Sequence, residues 1–194
     1  MFTGIIQSIG TITFTSTSEA RRIYSVDSKL KKKWLVGESV NISGICSTIV
    51  SKKEKNFLVE YMPQTLQITT VSHWKNGEKI NIEPSLKVGD ELSGHFVLGH
   101  VDAVAKITGI QKTKNQFAIT CTIPQSLLCY MTPKGSITLD GVSLTIGALK
   151  KNSLTVFLTP FTYHHTTFQY KKIGDALNVE TDMIAKHIHH MICK

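Results

Sequence analysis

The sequence predicts an all-β protein made of two similar small barrels in tandem, closed by a C-terminal α-helix. Three observations carry that expectation: an internal repeat, short alternating runs punctuated by turn residues, and a last segment with helical spacing.

The repeat comes first, because a fixed offset constrains the whole architecture. At an offset of about 97, residues 37–83 lie over 134–180 without a gap, and about 13 of roughly 47 pairs are identical. The matches are mainly turn and small polar residues: Ser39 with Ser136, Gly44 with Gly141, Thr48 with Thr145, Pro63 with Pro160, Thr65 with Thr162, Thr69-Thr70 with Thr166-Thr167. They close on Gly77, Asn81 and Glu83 over Gly174, Asn178 and Glu180. A weaker continuation sets Gly4-Ile5-Ile6 over Gly99-His100-Val101 at an offset of about 95. The turn Val88-Gly89-Asp90 suits a linker, so the expected division is residues 1–89, 90–182 and a terminal helix 183–194.

Between the matched motifs Val40 and Ile42, Ile80 and Ile82, Ile137 and Leu139, and Leu177 and Val179 alternate with polar neighbours, as strands with one buried face do. Closing such short strands into a barrel removes exposed edges. A short helix is expected in each half, at Ser28–Leu35 and Gln125–Met131. After the N-cap candidate Asp182, residues Ile184, Ile188, Met191 and Ile192 form one apolar helical face, which could pack on a partner subunit or on its own barrel.

Composition narrows the class. Of 194 residues 41% are hydrophobic and 19% charged, as in ordinary soluble globular chains. No apolar run reaches the roughly 18 residues of a spanning helix, and the start lacks a basic flank, so a cytoplasmic, non-membrane protein is expected. The formal charge of +8 is densest at Lys29 and Lys31-Lys32-Lys33. Without a basic stripe interleaved with aromatics it reads as a solvated surface, and no nucleic-acid partner is expected. Cys46, Cys121, Cys129 and Cys193 show neither C-x-x-C nor zinc spacing, so reduced thiols and no metal are expected.

Chemistry concentrates in three places. Gly44-Ile45-Cys46-Ser47-Thr48 and Gly141-Val142-Ser143-Leu144-Thr145 put Cys46 with Thr48, and Ser143 with Thr145, on one strand face, where thiol and hydroxyls can read a polar heterocycle. Any single threonine there is more ordinarily a packed β-residue. Ser93-Gly94-His95-Phe96-Val97-Leu98-Gly99-His100-Val101-Asp102 holds two histidines among glycines that allow close backbone approach. Their odd separation points them to opposite faces of a regular strand, and one of them could do acid/base or hydrogen-bonding work. His164-His165 and His187, His189 and His190 read as surface residues.

Together with the opening Met1-Phe2-Thr3-Gly4-Ile5-Ile6 and with Lys134-Gly135-Ser136 ahead of Asp140-Gly141, these stretches resemble the riboflavin synthase family over the whole chain. The resemblance implies two tandem six-stranded Greek-key-like barrels, each binding 6,7-dimethyl-8-ribityllumazine, in a homotrimer held by the C-terminal helix, with no cofactor. It implies transfer of a four-carbon unit between two lumazines to give riboflavin and 5-amino-6-ribitylamino-uracil. His100, Ser143 and Thr145 would line the C-terminal barrel site and Cys46 and Thr48 the N-terminal one, with Phe2 near the stacked rings. Ring and ribityl groups would be cradled by Gly4, Ile5 and Ile6, by Ser47, by Glu60, Tyr61, Met62, Pro63, Gln64 and Thr65, and by Gly99, His100 and Val101. Lys134, Leu144, Thr159, Pro160, Phe161, Thr162, Tyr163 and His164 would complete the cradle, with Asp140 and Asp182 as second candidates for polar roles. The chain departs from the family pattern at Ser43, Ser47, Gln64 and Phe161. A non-catalytic lumazine- or flavin-binding relative is the alternative, disfavoured because the Gly-His and Ser-Leu-Thr residues are kept. An oligonucleotide-binding barrel is a second, disfavoured by the scarcity of shared aromatics.

Overall fold

The computed structural model describes residues 1–17, 21–53 and 56–193. The first half folds as β1 (Ser8–Thr17), β2 (Arg22–Asp27), β3 (Ser39–Ile42), β4 (Ile45–Lys53), β5 (Asn56–Tyr61), helix α1 (Pro63–Ile68) and β6 (Lys79–Pro84). The second repeats it as β7 (Ala103–Lys112), β8 (Phe117–Thr122), β9 (Ser136–Leu139), β10 (Val142–Lys150), β11 (Ser153–Leu158), α2 (Pro160–His165) and β12 (Ala176–Thr181). Each set closes into an antiparallel barrel of six strands with the same order, β1-β2-β5-β4-β3-β6 and β7-β8-β11-β10-β9-β12. β2 neighbours β5 rather than β3, which is the Greek-key crossing. Bulges recur at equivalent places, at Ile12/Phe14 and Ile107/Gly109, and at Ile49/Ser51 and Ile146/Ala148. The added local twist lets such short strands curl into closure.

Inward residues of the alternating pattern fill each barrel. Ile12, Tyr24, Val26, Ile42, Ile49, Phe57 and Ile82 pack in the first, with Trp34 and Trp74, while Ile107, Ile119, Ile137, Ile146, Val156 and Leu177 fill the second. The outward polar residues of β6 and β12 are buried too, because the two barrels meet there. Asn81 donates from Nδ2 to the Asp140 carbonyl and accepts from the Thr167 N–H, both at 2.8 Å; Asn178 does the same with the Ser43 carbonyl and the Thr70 N–H, also at 2.8 Å. The repeat is thus a pseudo-two-fold axis, and its matched asparagines join the halves.

At the axis the β3–β4 and β9–β10 hairpins touch tip to tip. Their two-residue turns, Ser43-Gly44 and Asp140-Gly141, have φ of 46° and 87° and of 46° and 80°, the doubly left-handed form suited to tight hairpins. A Cβ on Gly44 would lie 2.9 Å from the Gly141 nitrogen, so the approach requires glycine. Left-handed backbone is easier for Asp140 than for Ser43. Asp140 Oδ1 also accepts the Asn178 N–H at 2.7 Å, where Ser43 Oγ accepts that of Asn81 at 3.1 Å. Ser43→Asn is therefore expected to stabilise the protein by about 0.5–1 kcal/mol. Urea unfolding checks it, and a loss of stability would refute the account.

Residues 28–35 are not helical as expected. Lys29 has φ 52°, and the segment is irregular and pinned by Trp34, which is buried and donates to Ser28 Oγ at 3.0 Å. Consecutive lysines would also repel along a helix; Lys32 instead pairs with Glu38 and lies over the Trp34 ring. Gln125–Tyr130 is a 3-10 helix. The terminal helix α3 (Met183–Ile192) forms as expected, with Asp182 Oδ1 accepting the Ile184 N–H at 2.9 Å.

Candidate functional site

From the Ser43-Gly44 turn, β4 sends Ile45, Ser47 and Ile49 inward and Cys46 and Thr48 outward; from Asp140-Gly141, β10 sends Val142, Leu144 and Ile146 inward and Ser143 and Thr145 outward. Ser47 and Leu144 are thus inside their barrels. Ser47 shares a 2.6 Å hydrogen bond with Tyr61, whose phenol burial pushes up. Both are fixtures beneath the outward face rather than part of it.

Across each outward face runs a segment from the other half. The Cys46 N–H donates to the Gly99 carbonyl and the Ser143 N–H to the Gly4 carbonyl, each at 2.8 Å. A Cβ at Gly99 would lie 2.5 Å from the Cys46 nitrogen and one at Gly4 would lie 2.7 Å from that of Ser143, so only glycine permits the crossing. Val101 joins the N-terminal core and Ile6 packs on the C-terminal one. This corrects the expected grouping: His100, with Gly99 and Val101, lies with Cys46 and Thr48, whereas Gly4, Ile5 and Ile6 lie with Ser143 and Thr145. The physical reason is the exchange of the first segment of each unit, which pairs with the β4-equivalent strand of the opposite barrel.

Phe2, expected beside the rings, is fully buried and bridges to Val97, donating from its N–H at 2.8 Å and accepting at 3.1 Å. It fixes the crossing segment instead of facing outward. Asp140 is buried at the seam, 2.8 Å from Lys171 Nζ. Lys134 is exposed with φ 70°, in the place Gly37 takes in the first half.

His95, which the family resemblance does not single out, joins the Ser143 face. Its Nδ1 is 2.7 Å from Ser143 Oγ and its Nε2 is 3.1 Å from Thr138 Oγ1. Burial pushes its pKa down, Asp182 opposing, so the ring is held neutral, one nitrogen donating and the other accepting. The signal was present in the odd separation of His95 from His100: each serves a different barrel.

A second wall follows β5 and β11. One step beyond the Ile49–Val59 and Ile146–Val156 pairs, Glu60 faces outward in the first barrel and Phe157 in the second. Glu60 is held 2.8 Å from Arg21. α1 and α2 each begin with proline; α2 is capped by Thr159, which accepts the Thr162 N–H, while Met62 offers no such cap. Met62, Pro63 and Gln64 are exposed and Thr65 half-buried; Pro160, Phe161 and His164 are exposed and Thr162 half-buried. Tyr163 is buried, stacked on Phe117 at 3.9 Å, and belongs to the core. A cavity of about 440 Å³ gathers Ile6, Phe161 and His164 with Gln7, His165 and Tyr170, and a cleft of about 610 Å³ lies by Thr3, Ile5 and Glu83. Neither includes Cys46, Ser143 or Thr145, whose faces are open shelves. Among the described residues no cluster of three or more His, Cys, Asp or Glu side chains could hold a metal ion.

Two buried carboxyls hold the crossing segments. Glu83 accepts from the Thr3 N–H at 2.6 Å, Thr3 Oγ1 at 2.7 Å and the Gly4 N–H at 3.1 Å. Glu180 accepts from the N–H groups of Leu98, Gly99 and His100 at 2.8, 2.9 and 3.1 Å. Burial pushes Glu180 up from 4.5 to about 7, more than its three N–H donors and Lys186 pull it down; Glu83 shifts the same way. A carboxyl raised in the folded state favours folding fully below about pH 4.5, and that contribution is lost as pH rises to about 7, amounting to about 3 kcal/mol. His95, lowered by burial, acts oppositely. Relative to Glu180→Gln, the wild type should lose about 3 kcal/mol between pH 5 and 8 by urea unfolding; parallel curves would sink the assignment.

Fold and faces together define a class, the tandem-barrel binders of a heterocyclic ligand. The lumazine binding domain matches the chain twice, over residues 3–85 and 98–182. Over its whole length the chain is 37% identical to riboflavin synthase of Bacillus subtilis, across 91% of that protein. It is 36% identical to riboflavin synthase of Brucella abortus, across 96% of each. Crystal structures of LumP with riboflavin and with 6,7-dimethyl-8-(1'-D-ribityl) lumazine superpose with TM-scores of 0.84 and 0.82, at 21% and 20% identity, over 93% of this chain and 99% of theirs, and show the same fold. The chain belongs to the riboflavin synthase family.

Proposed function

We propose that the protein catalyses the riboflavin synthase reaction, moving a four-carbon unit from one 6,7-dimethyl-8-ribityllumazine to another to give riboflavin and 5-amino-6-ribitylamino-uracil. The observation that carries this reading is the duplicated outward face: Cys46 and Thr48 under His100 in one barrel, Ser143 and Thr145 under Ile5 in the other, with His95 on Ser143. Two copies of one molecule need two similar pockets. Holding them in register replaces much of the entropic cost of a bimolecular step. The remaining work is proton transfer at the 7-methyl group, and neutral His95 with Ser143 is placed to move that proton.

In this reading residues 1–89 and 90–182 are the two lumazine-binding units, a division inside the stretch 86–97 left between the two domain matches. Catalytic groups are His100, Ser143, Thr145 and Cys46, with His95 added, and Phe2 acts from beneath by fixing Thr3 to Ile6. Gly4 to Ile6, Glu60, Met62 to Thr65, Gly99 to Val101, Lys134, Thr159 to Thr162 and His164 surround the ligands, while Tyr61 and Tyr163 support them from inside the barrels. The open shelves become closed pockets when barrels of neighbouring subunits face each other in a homotrimer built on α3. The protein works in the cytoplasm without cofactor; the four unpaired thiols suit that compartment.

Purified protein given only 6,7-dimethyl-8-ribityllumazine should produce riboflavin, followed by absorbance. Substrate bound but never consumed would instead make the protein a non-catalytic carrier.

A further inference from the structure

Glu83 and Glu180 are identical in both repeats, 3% exposed, and take no part in the face chemistry above. Each lies on the last strand of its own barrel yet holds a segment that serves the opposite one. Glu180, on β12, gathers three successive N–H groups of Leu98, Gly99 and His100, and the Gly99 carbonyl in turn accepts from Cys46 on β4. Glu83, on β6, gathers Thr3 and Gly4, and the Gly4 carbonyl accepts from Ser143 on β10.

We propose that Glu180 and Glu83 are crossed positioning residues: Glu180 of the C-terminal barrel sets the His100 wall of the N-terminal pocket, and Glu83 of the N-terminal barrel sets the Thr3–Ile6 wall of the C-terminal pocket. Three donors converging on one carboxyl fix the peptide planes of a short irregular segment more tightly than a single hydrogen bond can. An amide cannot replace it, since its NH₂ would face N–H groups. The two pockets are thereby tunable one at a time from the barrel that does not bear them. The catalytic part of this inference rests on the riboflavin synthase reading; the structural part does not.

The test is hydrogen exchange by mass spectrometry on the full-length protein and on Glu180→Gln and Glu83→Gln, with turnover of 6,7-dimethyl-8-ribityllumazine measured in parallel. Glu180→Gln should speed exchange at least tenfold at residues 98–100 and at Cys46, leaving Ser143 unchanged; Glu83→Gln should do so at residues 3–5 and Ser143, leaving Cys46 unchanged. Each should lower kcat about tenfold or more. Should a glutamine variant not fold, Glu180→Asp and Glu83→Asp, one methylene too short, should give the same crossed pattern more weakly. Exchange rising equally at both pockets, or on the substituted side only, overturns the proposal, as does crossed exchange with unchanged kcat. A wild type that never turns over the substrate refutes the enzymatic reading, while crossed exchange would still support the clamps and uncrossed exchange would still remove them.

Discussion

Ser143→Ala is expected to lower kcat about 10²–10⁴-fold while the pocket over Cys46 still binds riboflavin. Ser143 Oγ is 2.7 Å from His95 Nδ1, and the far ring nitrogen is held by Thr138 at 3.1 Å, so the imidazole is aimed from both ends. Burial pushes the pKa of that ring down, so it stays neutral and keeps one nitrogen lone pair unprotonated. Removing the hydroxyl takes away both the relay to an outward-facing ligand and one of the two bonds that orient the ring. A hundredfold loss corresponds to about 3 kcal/mol of transition-state stabilisation, within reach of one oriented proton-transfer group. Single-turnover kinetics separate this from weakened binding. A rate within threefold of the wild type would move the proton chemistry to the His100 side.

The roles of His95 and His100 are not separable along the sequence. Both lie in one glycine-rich stretch, and a linear reading gives both to the unit in which they occur. The partner of His95 is 48 residues away and that of Gly99 is 53 residues back. Only the exchange of first segments around the pseudo-two-fold axis sorts the histidines to different barrels. The repeat itself was legible because turns, bulges and seam residues demand particular chemistry: glycine at left-handed crossings, asparagine where each barrel must bond to the other. α1 and α2 were not, since six residues are too few for a 3.6-residue period to show, although a threonine before Pro160 is a readable helix start. The non-helical path of residues 28–35 is hidden for a related reason, because Trp34 decides that segment through a tertiary contact.

The copies have also diverged where they should if two identical substrates play different parts. Glu60 and Gln64 stand where Phe157 and Phe161 do, so one face presents a carboxylate and an amide and the other two aromatic rings. The same hydroxyl-lined shelf is therefore bordered by polar groups in one barrel and apolar ones in the other.

Deleting residues 183–194 is expected to leave both barrels folded and, if the proposed trimer is built on α3, to yield monomers. No residue of α3 is buried, and Ile184, Ile188, Met191 and Ile192 are 49%, 51%, 75% and 75% exposed along one face. Covering four such side chains is worth several kcal/mol per subunit, at about 1.5–3 kcal/mol for each fully buried one. The helix is nonetheless fixed in direction: Asp182 caps it, Lys186 Nζ is 2.7 Å from Asp102, and Tyr130 meets His189 edge-on at 5.1 Å. A rigidly aimed, uncovered apolar face is what a subunit contact needs. Its base also lies beside the pocket wall, since Asp102 accepts from Thr181 and follows His100 by two residues. The truncated protein should keep its unfolding cooperativity, sediment as a monomer, and lose turnover because its shelves no longer meet a neighbour's. A truncated protein that still sediments as a trimer would place the subunit contact on the barrels themselves.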